Sequence, residues 1–125
     1  MRRDTVRVMG IDPGSVHVGF SIGSGDINLM HGEKSPRDFL QMLPESKVRR
    51  VAIERFDIRQ FTNDSLETVK LIGAIEHICY SRDIRIGYVN ASSKKKFIDI
   101  LDSWLTGHAR DAEAIRLYDY YYSVW

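Results

Sequence analysis

Only one of the 125 residues is a cysteine, so no internal disulfide can form, and the place of Cys79 among Ile75, Ile78 and Tyr80 in a helical pattern marks it as a small buried apolar side chain. No apolar run approaches the roughly 18 residues that span a bilayer, and the first residues lack the apolar stretch of an export signal. A reducing cytoplasmic setting with no membrane partner is the expectation. An excess of charge of one sign is missing too, since 18 basic residues face 17 acidic ones for a net +1. Any nucleic-acid partner would have to be met by local clusters such as Arg2 and Arg3, Arg49 and Arg50, or Lys94, Lys95 and Lys96. Proline is scarce, and each of the three has a boundary role: Pro13 in a turn, Pro36 at a helix start and Pro44 at that helix's end. There is no repeat, linker or low-complexity tract, and the length suits one compact domain over 1–125.

What remains reads as alternating strands and helices. Val6 to Ile11, Val16 to Ile22 and Ile27 to His31 are short apolar runs separated by turn chemistry at Pro13, Gly14 and Ser15 and at Gly23 to Asp26, which predicts a three-strand meander. Ser35 followed by Pro36 and Asp38 opens a helix carrying Phe39, Leu40 and Leu43. Val48 to Glu54 is too apolar for a surface strand and belongs in a buried, parallel position after that crossover. Asp64 and Glu67 have the spacing of a capping box, and Leu66, Val69, Ile72 or Gly73, and Ile75 or Glu76 continue at helical period toward Tyr80. Ile84 to Val89 supplies a fifth strand. Ser92 or Ser93 caps a helix whose Phe97, Ile98, Leu101, Trp104 and Leu105 form an apolar stripe, and after Gly107 a last helix runs from about Ala109 to Tyr121, with Ala112, Ile115 and Tyr118 or Asp119 on one face. The order βββαβαβαα predicts an α/β domain with a five-stranded mixed sheet flanked by helices.

Two carboxylates stand out in that order. Asp12 closes the first strand and Glu54 the fourth. A right-handed crossover between parallel strands puts both carboxyl ends on one edge, about 4.8 Å apart, where the two acids can share a divalent cation that offsets their repulsion. Pro13, Gly14 and Ser15 keep that corner open for a phosphate, and His108 and Asp111, three apart at the start of the last helix, face the same edge if the helix crosses the sheet. Hard oxygen ligands favour Mg²⁺ or Mn²⁺. Each piece alone has a plainer reading: a turn for Asp12 and Pro13, a strand-end ion pair for Glu54 and Arg55, a favourable helix-start charge for Asp111. Their joint placement is what points to phosphodiester chemistry.

Gly10 to Ser15 with Val18, Gly19 and Phe20, then Val51 to Glu54, then His108 to Ala112, together resemble the RuvC-type Holliday junction resolvases, and the likeness spans the chain. The resemblance implies an RNase H-like fold and a homodimeric endonuclease that cuts four-way DNA junctions with Mg²⁺ or Mn²⁺, two ions per active site, working in the cytoplasm, the host's if the chain is phage-encoded. It implies that Asp12 and Asp111 bind and bridge the ions, that Glu54 holds the ion activating water, and that His108 ligates or orients the nucleophile. One of Lys94, Lys95 and Lys96 would act at the cleaved strand, Phe56 or Phe61 would enter the junction centre, and Arg55 and Arg59 would meet phosphates. The stretch from Val89 to His108 is shorter than in cellular relatives, which implies structure-selective cutting with weak sequence choice. Branched DNA of other kinds, RNA·DNA hybrids, or junction binding without cutting are the alternatives. The Ile11 to Ser15 segment is also similar to the first phosphate loop of sugar kinases and actins, which need a second domain.

Overall fold

A computed structural model describes residues 2–56, 62–101 and 105–125 of the chain. The strands are β1 (Arg7–Asp12), β2 (Val18–Ser24), β3 (Ile27–Lys34), β4 (Arg50–Glu54) and β5 (Arg85–Val89), and the helices α1 (Pro36–Met42), α2 (Asn63–Ser81), α3 (Ala91–Ile98) and α4 (Gly107–Tyr122). They form one sheet in the order β3-β2-β1-β4-β5. β1 pairs antiparallel with β2, and β2 with β3, while β4 lies parallel to both β1 and β5. The mixed sheet and the element order are those expected from the sequence. Among the described residues no helix is long and apolar enough to cross a membrane.

Local chemistry explains most of the boundaries. Gly25, at φ +58°, takes the left-handed turn between β2 and β3 that a side chain would resist. Ser35 caps α1 by accepting from the Asp38 amide at 3.2 Å, with Pro36 in the first turn. The capping box of α2 is not the expected Asp64 and Glu67. Thr62 and Ser65 form it reciprocally, the Ser65 amide donating to Thr62 Oγ1 at 3.1 Å and the Thr62 amide to Ser65 Oγ at 2.9 Å. A serine hydroxyl at the third position accepts the same returning bond as a glutamate, and the helix starts earlier for it. Asn90, not Ser92 or Ser93, precedes α3, and α3 stops at Ile98 instead of continuing to Leu105. Tight i to i+3 bonds from Ile100 to Phe97 and from Leu101 to Ile98 turn the chain there. An apolar spacing of one and four residues fits two successive turns as well as a longer helix, which is why the pattern overran; Trp104 lies outside the described residues. Short 3-10 turns at Arg3–Thr5 and Leu43–Glu45 had no counterpart in the expected elements.

The sheet buries both faces differently. On one, Met9, Ile11, Val18, Phe20, Ile22, Val51 and Ile53 pack on Phe39 of α1, on Leu43 just after it and on Leu71, Ile75 and Cys79 of α2, so Cys79 is the core residue its setting implied. On the other lies α4, and it lies very close. A Cβ on Gly10 would sit 2.1 Å from the Ala112 carbonyl oxygen, and one on Gly19 would sit 2.2 Å from that of His108. These two glycines let the helix backbone rest on the strands.

Pressed between the sheet and α3, α4 is buried around most of its circumference, beyond the single face expected of Ala112, Ile115 and Tyr118 or Asp119. The polar groups this traps are paired. Arg50 makes a two-pronged bond to Asp119 at 2.8 and 2.7 Å, and Arg116 reaches Glu113 at 2.6 and 3.0 Å and the Gly25 carbonyl at 2.6 Å. Ser21 donates to Glu113 at 2.8 Å. Among the described residues no buried side-chain polar atom lacks a partner, as burial in low dielectric requires.

Candidate metal and phosphodiester site

The parallel register of β1 and β4 sets Gly10 beside Ala52 and Ile11 beside Ile53, so the next residues, Asp12 and Glu54, end their strands side by side. The two-residue period of a strand places Gly10 and Asp12 on one face and Ala52 and Glu54 on the same one. That is the α4 face. Gly19 is the β2 partner of Asp12, and its missing side chain is what admits the first turn of α4 over the strand ends. His108 and Asp111 arrive on that turn, three residues apart.

The four expected residues are therefore brought together, and a fifth binds them. His108 Nδ1 lies 2.7 Å from Asp12 Oδ2. Lys94, from α3, places its Nζ 2.8 Å from Glu54 Oε1 and 3.8 Å from Asp111 Oδ2. The three lysines separate cleanly here. Lys95 is exposed, Lys96 lies 5.6 and 5.2 Å over the rings of Tyr118 and Tyr122, and Lys94 alone turns into the acids with its side chain only 14% exposed.

The field in this corner is that of crowded carboxylates. Burial pushes the Asp12 carboxyl up; its bond to His108 and the charge of Lys94 pull it back, while Glu54 and Asp111 add to the rise. His108 is raised by the bond to Asp12, against the effect of its partial burial. Burial by itself would lower Lys94, yet the bond to Glu54 and the charges of Glu54, Asp12 and Asp111 carry it above its ordinary value. Both cations, His108 and Lys94, are thus held charged by the acids around them.

Three carboxylates and an imidazole are a hard, oxygen-rich donor set of the kind that takes Mg²⁺ or Mn²⁺. The Lys94 ammonium, touching both Glu54 and Asp111, stands in for the positive charge such a set demands. Among the described residues no group of three such side chains is gathered closely enough to hold one ion. The donors fit a divalent cation in chemistry, and Lys94 lies between two of them.

Of the expected DNA contacts, Arg55 and Phe56 follow Glu54 directly and are exposed, lining a groove of about 420 Å³ with Val69, Ile72, Glu76 and Tyr88. Arg55 lies 5.8 Å over the Tyr88 ring. Arg59 and Phe61 lie outside the described residues. The roles of three neighbours of the site escaped the sequence reading, which had Gly19 only as a residue of the first motif. His17 sits with its ring 6.3 Å from that of His108, Glu33 adds its charge to the field on His108, and Gly19 seats the helix. His17 had a usable signal, its place in the loop following Asp12; Glu33, on a strand two positions over in the sheet, had none.

No protein-family model matches the chain, and no curated protein matches it. Solved structures do. Thermus thermophilus RuvC in complex with a Holliday junction substrate is 16% identical, with 94% of this chain and 95% of that one covered at a TM-score of 0.78. T. thermophilus RuvC in a second structure gives 0.71 at the same identity, and the fowlpox virus resolvase with its substrate Holliday junction DNA gives 0.63 at 14% identity, covering 90% of this chain and 96% of that one. The fold is the RNase H-like fold of these resolvases, over nearly the whole length of both.

Proposed function

We propose that the chain is a structure-selective endodeoxyribonuclease that cuts four-way DNA junctions by metal-dependent phosphodiester hydrolysis. One observation carries the reading: Asp12, Glu54, His108 and Asp111, drawn from three distant stretches of sequence, meet at the open carboxyl ends of parallel strands, where folds of this type bind ligands. The similar folds solved with Holliday junction DNA supply the substrate.

Asp12, Glu54 and Asp111 would hold Mg²⁺ or Mn²⁺, two ions per site. Such ions, when bound, activate water and stabilise charge on the phosphoryl oxygens. The chain's own groups do the rest. With Nδ1 engaged by Asp12, His108 keeps Nε2 free to orient the attacking water or take its proton. Lys94, displaced from the acids, has a flexible stem and a compact ammonium suited to a phosphate of the cleaved strand. Arg55 beside Glu54 would meet a neighbouring phosphate, and the exposed Phe56 would present its ring to unstacked bases at the junction centre.

We place the active form as a homodimer, its two-fold axis matching the two-fold symmetry of paired nicks. The outer face of α2 supports this, with Leu66 43%, Val69 39% and Tyr80 90% exposed on one helical stripe. The test is a fixed four-way DNA with Mg²⁺, compared with flap, fork and RNA·DNA hybrid substrates. The wild type should cut the junction in paired nicks, and Asp12→Asn should lose at least a hundredfold in rate while still binding DNA. Equal cutting by the variant would refute the site; faster cutting of a hybrid would move the substrate.

A further inference from the structure

The acid corner has an opposite pole. At the amino ends of the parallel strands the chain carries arginines: Arg49 and Arg50 at the start of β4 and Arg85 at the start of β5, locked in register by the Arg85 amide donating to the Arg49 carbonyl at 3.1 Å. Between them opens a cavity of about 480 Å³ lined by Val6, Arg49, Arg50, Asp83, Arg85 and Trp125. It lies six residues from Asp12 along β1, about 20 Å at the usual strand rise, so it cannot share a phosphate with the acids.

The arginines here are not equivalent. Arg50 is buried, its guanidinium committed to Asp119 and stacked 4.9 Å over the Trp125 ring. Arg3 lies 4.8 Å over the same ring and donates to the Tyr120 carbonyl at 3.0 Å. These contacts make a rigid wall. Arg49 and Arg85 are exposed and form no ion pair among the described residues, and the sole acid on the lining, Asp83, is an exposed turn residue at φ +58°. Two uncommitted forks on a rigid, positively charged concavity match the flat, multidentate oxygen face of a phosphate.

We propose that this cavity is a second anion site, taking a phosphate group through Arg49 and Arg85, with Arg50 and Trp125 as its fixed floor. The phosphate can come from the backbone of a DNA segment other than the one cut, or from a small phosphorylated molecule. The two sources are told apart by the probe. With Trp104→Phe leaving Trp125 as the reporter, fluorescence is titrated without divalent ion against inorganic phosphate, a deoxynucleoside 5′-monophosphate and a 20-base-pair duplex, at constant ionic strength. ³¹P line broadening on the unsubstituted chain repeats the two small-molecule arms.

A saturable response is expected, weakened at least tenfold in Arg49→Gln/Arg85→Gln but not in Arg37→Gln, which removes a charge from the exposed face of α1. Response to phosphate or the monophosphate alone assigns a small ligand; response to duplex alone assigns the DNA backbone. The proposal is overturned if no probe responds, or if Arg37→Gln weakens binding as much as the double variant does. Junction cleavage by the double variant reads separately on the acid corner.

Discussion

Gly19→Ala is the sharpest test of how the fold builds the site, since it adds one methyl group to a strand and replaces none of the proposed site residues. The new Cβ would stand 2.2 Å from the His108 carbonyl oxygen and 2.3 Å from its carbon, where ordinary contact begins near 3.4 Å. Backbone cannot rotate out of the way as a side-chain tip can, so the first turn of α4 has to retreat by about 1 Å. The bond from His108 to Asp12, now 2.7 Å, then opens to about 3.7 Å, just past hydrogen-bonding distance, and Asp111 leaves with the same turn. Overpacking of this kind costs about 1–3 kcal/mol. At about 3–5 °C per kcal/mol for a domain this size, the Tm should fall by several degrees without loss of the folded state. A displacement of about 1 Å at reacting groups costs on the order of 100-fold in rate. Single-turnover cleavage of a four-way junction, with binding measured separately, should show that loss in rate at near-normal affinity. A Gly19→Ala protein that cuts at the wild-type rate with an unchanged Tm would mean that α4 does not need this glycine, and the account of the site's assembly would fail.

Lys94→Met should lower the Tm in EDTA by an amount corresponding to about 1–3 kcal/mol, because Glu54 and Asp111 lose the ammonium that neutralises them, and it should tighten Mg²⁺ binding measured by calorimetry; no change in either would refute the stand-in role. Asp119→Asn leaves the buried Arg50 guanidinium short of its counter-charge, and denaturation should record a loss of about 3–5 kcal/mol. Burial pushes the Cys79 thiol up to about 11, so at pH 8 only about one molecule in a thousand carries the reactive thiolate. Labelling by a thiol reagent should therefore be negligible in the native protein at pH 8, rise with pH, and become fast in denaturant; rapid native labelling would contradict the packing of α2.

The order of elements was readable because strand and helix periods differ and because turn chemistry marks their ends: Gly25, Ser35 and Pro36 each act locally, through φ preference or a single capping bond. Boundaries failed where a bond, not a pattern, decides them, as at Thr62 and Ser65, whose reciprocal cap replaces the expected Asp64 and Glu67. Phe97, Ile98 and Leu101 gave a true apolar stripe but no word on whether a turn or a helix carries it. Glu113 and Arg116, three apart on α4, could be read as a pair, but not as a buried one, since Ser21 and the Gly25 carbonyl, which complete their bonding, come from distant parts of the chain.

Asp12 and Glu54 owe their adjacency to strand order and parallel pairing, which apolar runs and crossover length already dictate, and so the amino-acid sequence was enough to place two acids at one corner. Which lysine faces them was decided only by the tertiary structure. Lys94, Lys95 and Lys96 are identical in chemistry and consecutive in the chain, and successive helical residues differ by about 100° in direction. Only the docking of α3 on α4 selects the one that turns inward. The same holds for the helix itself: His108 meets Asp12 because Gly10 and Gly19 let two backbones approach to van der Waals distance, a long-range contact that no local propensity encodes.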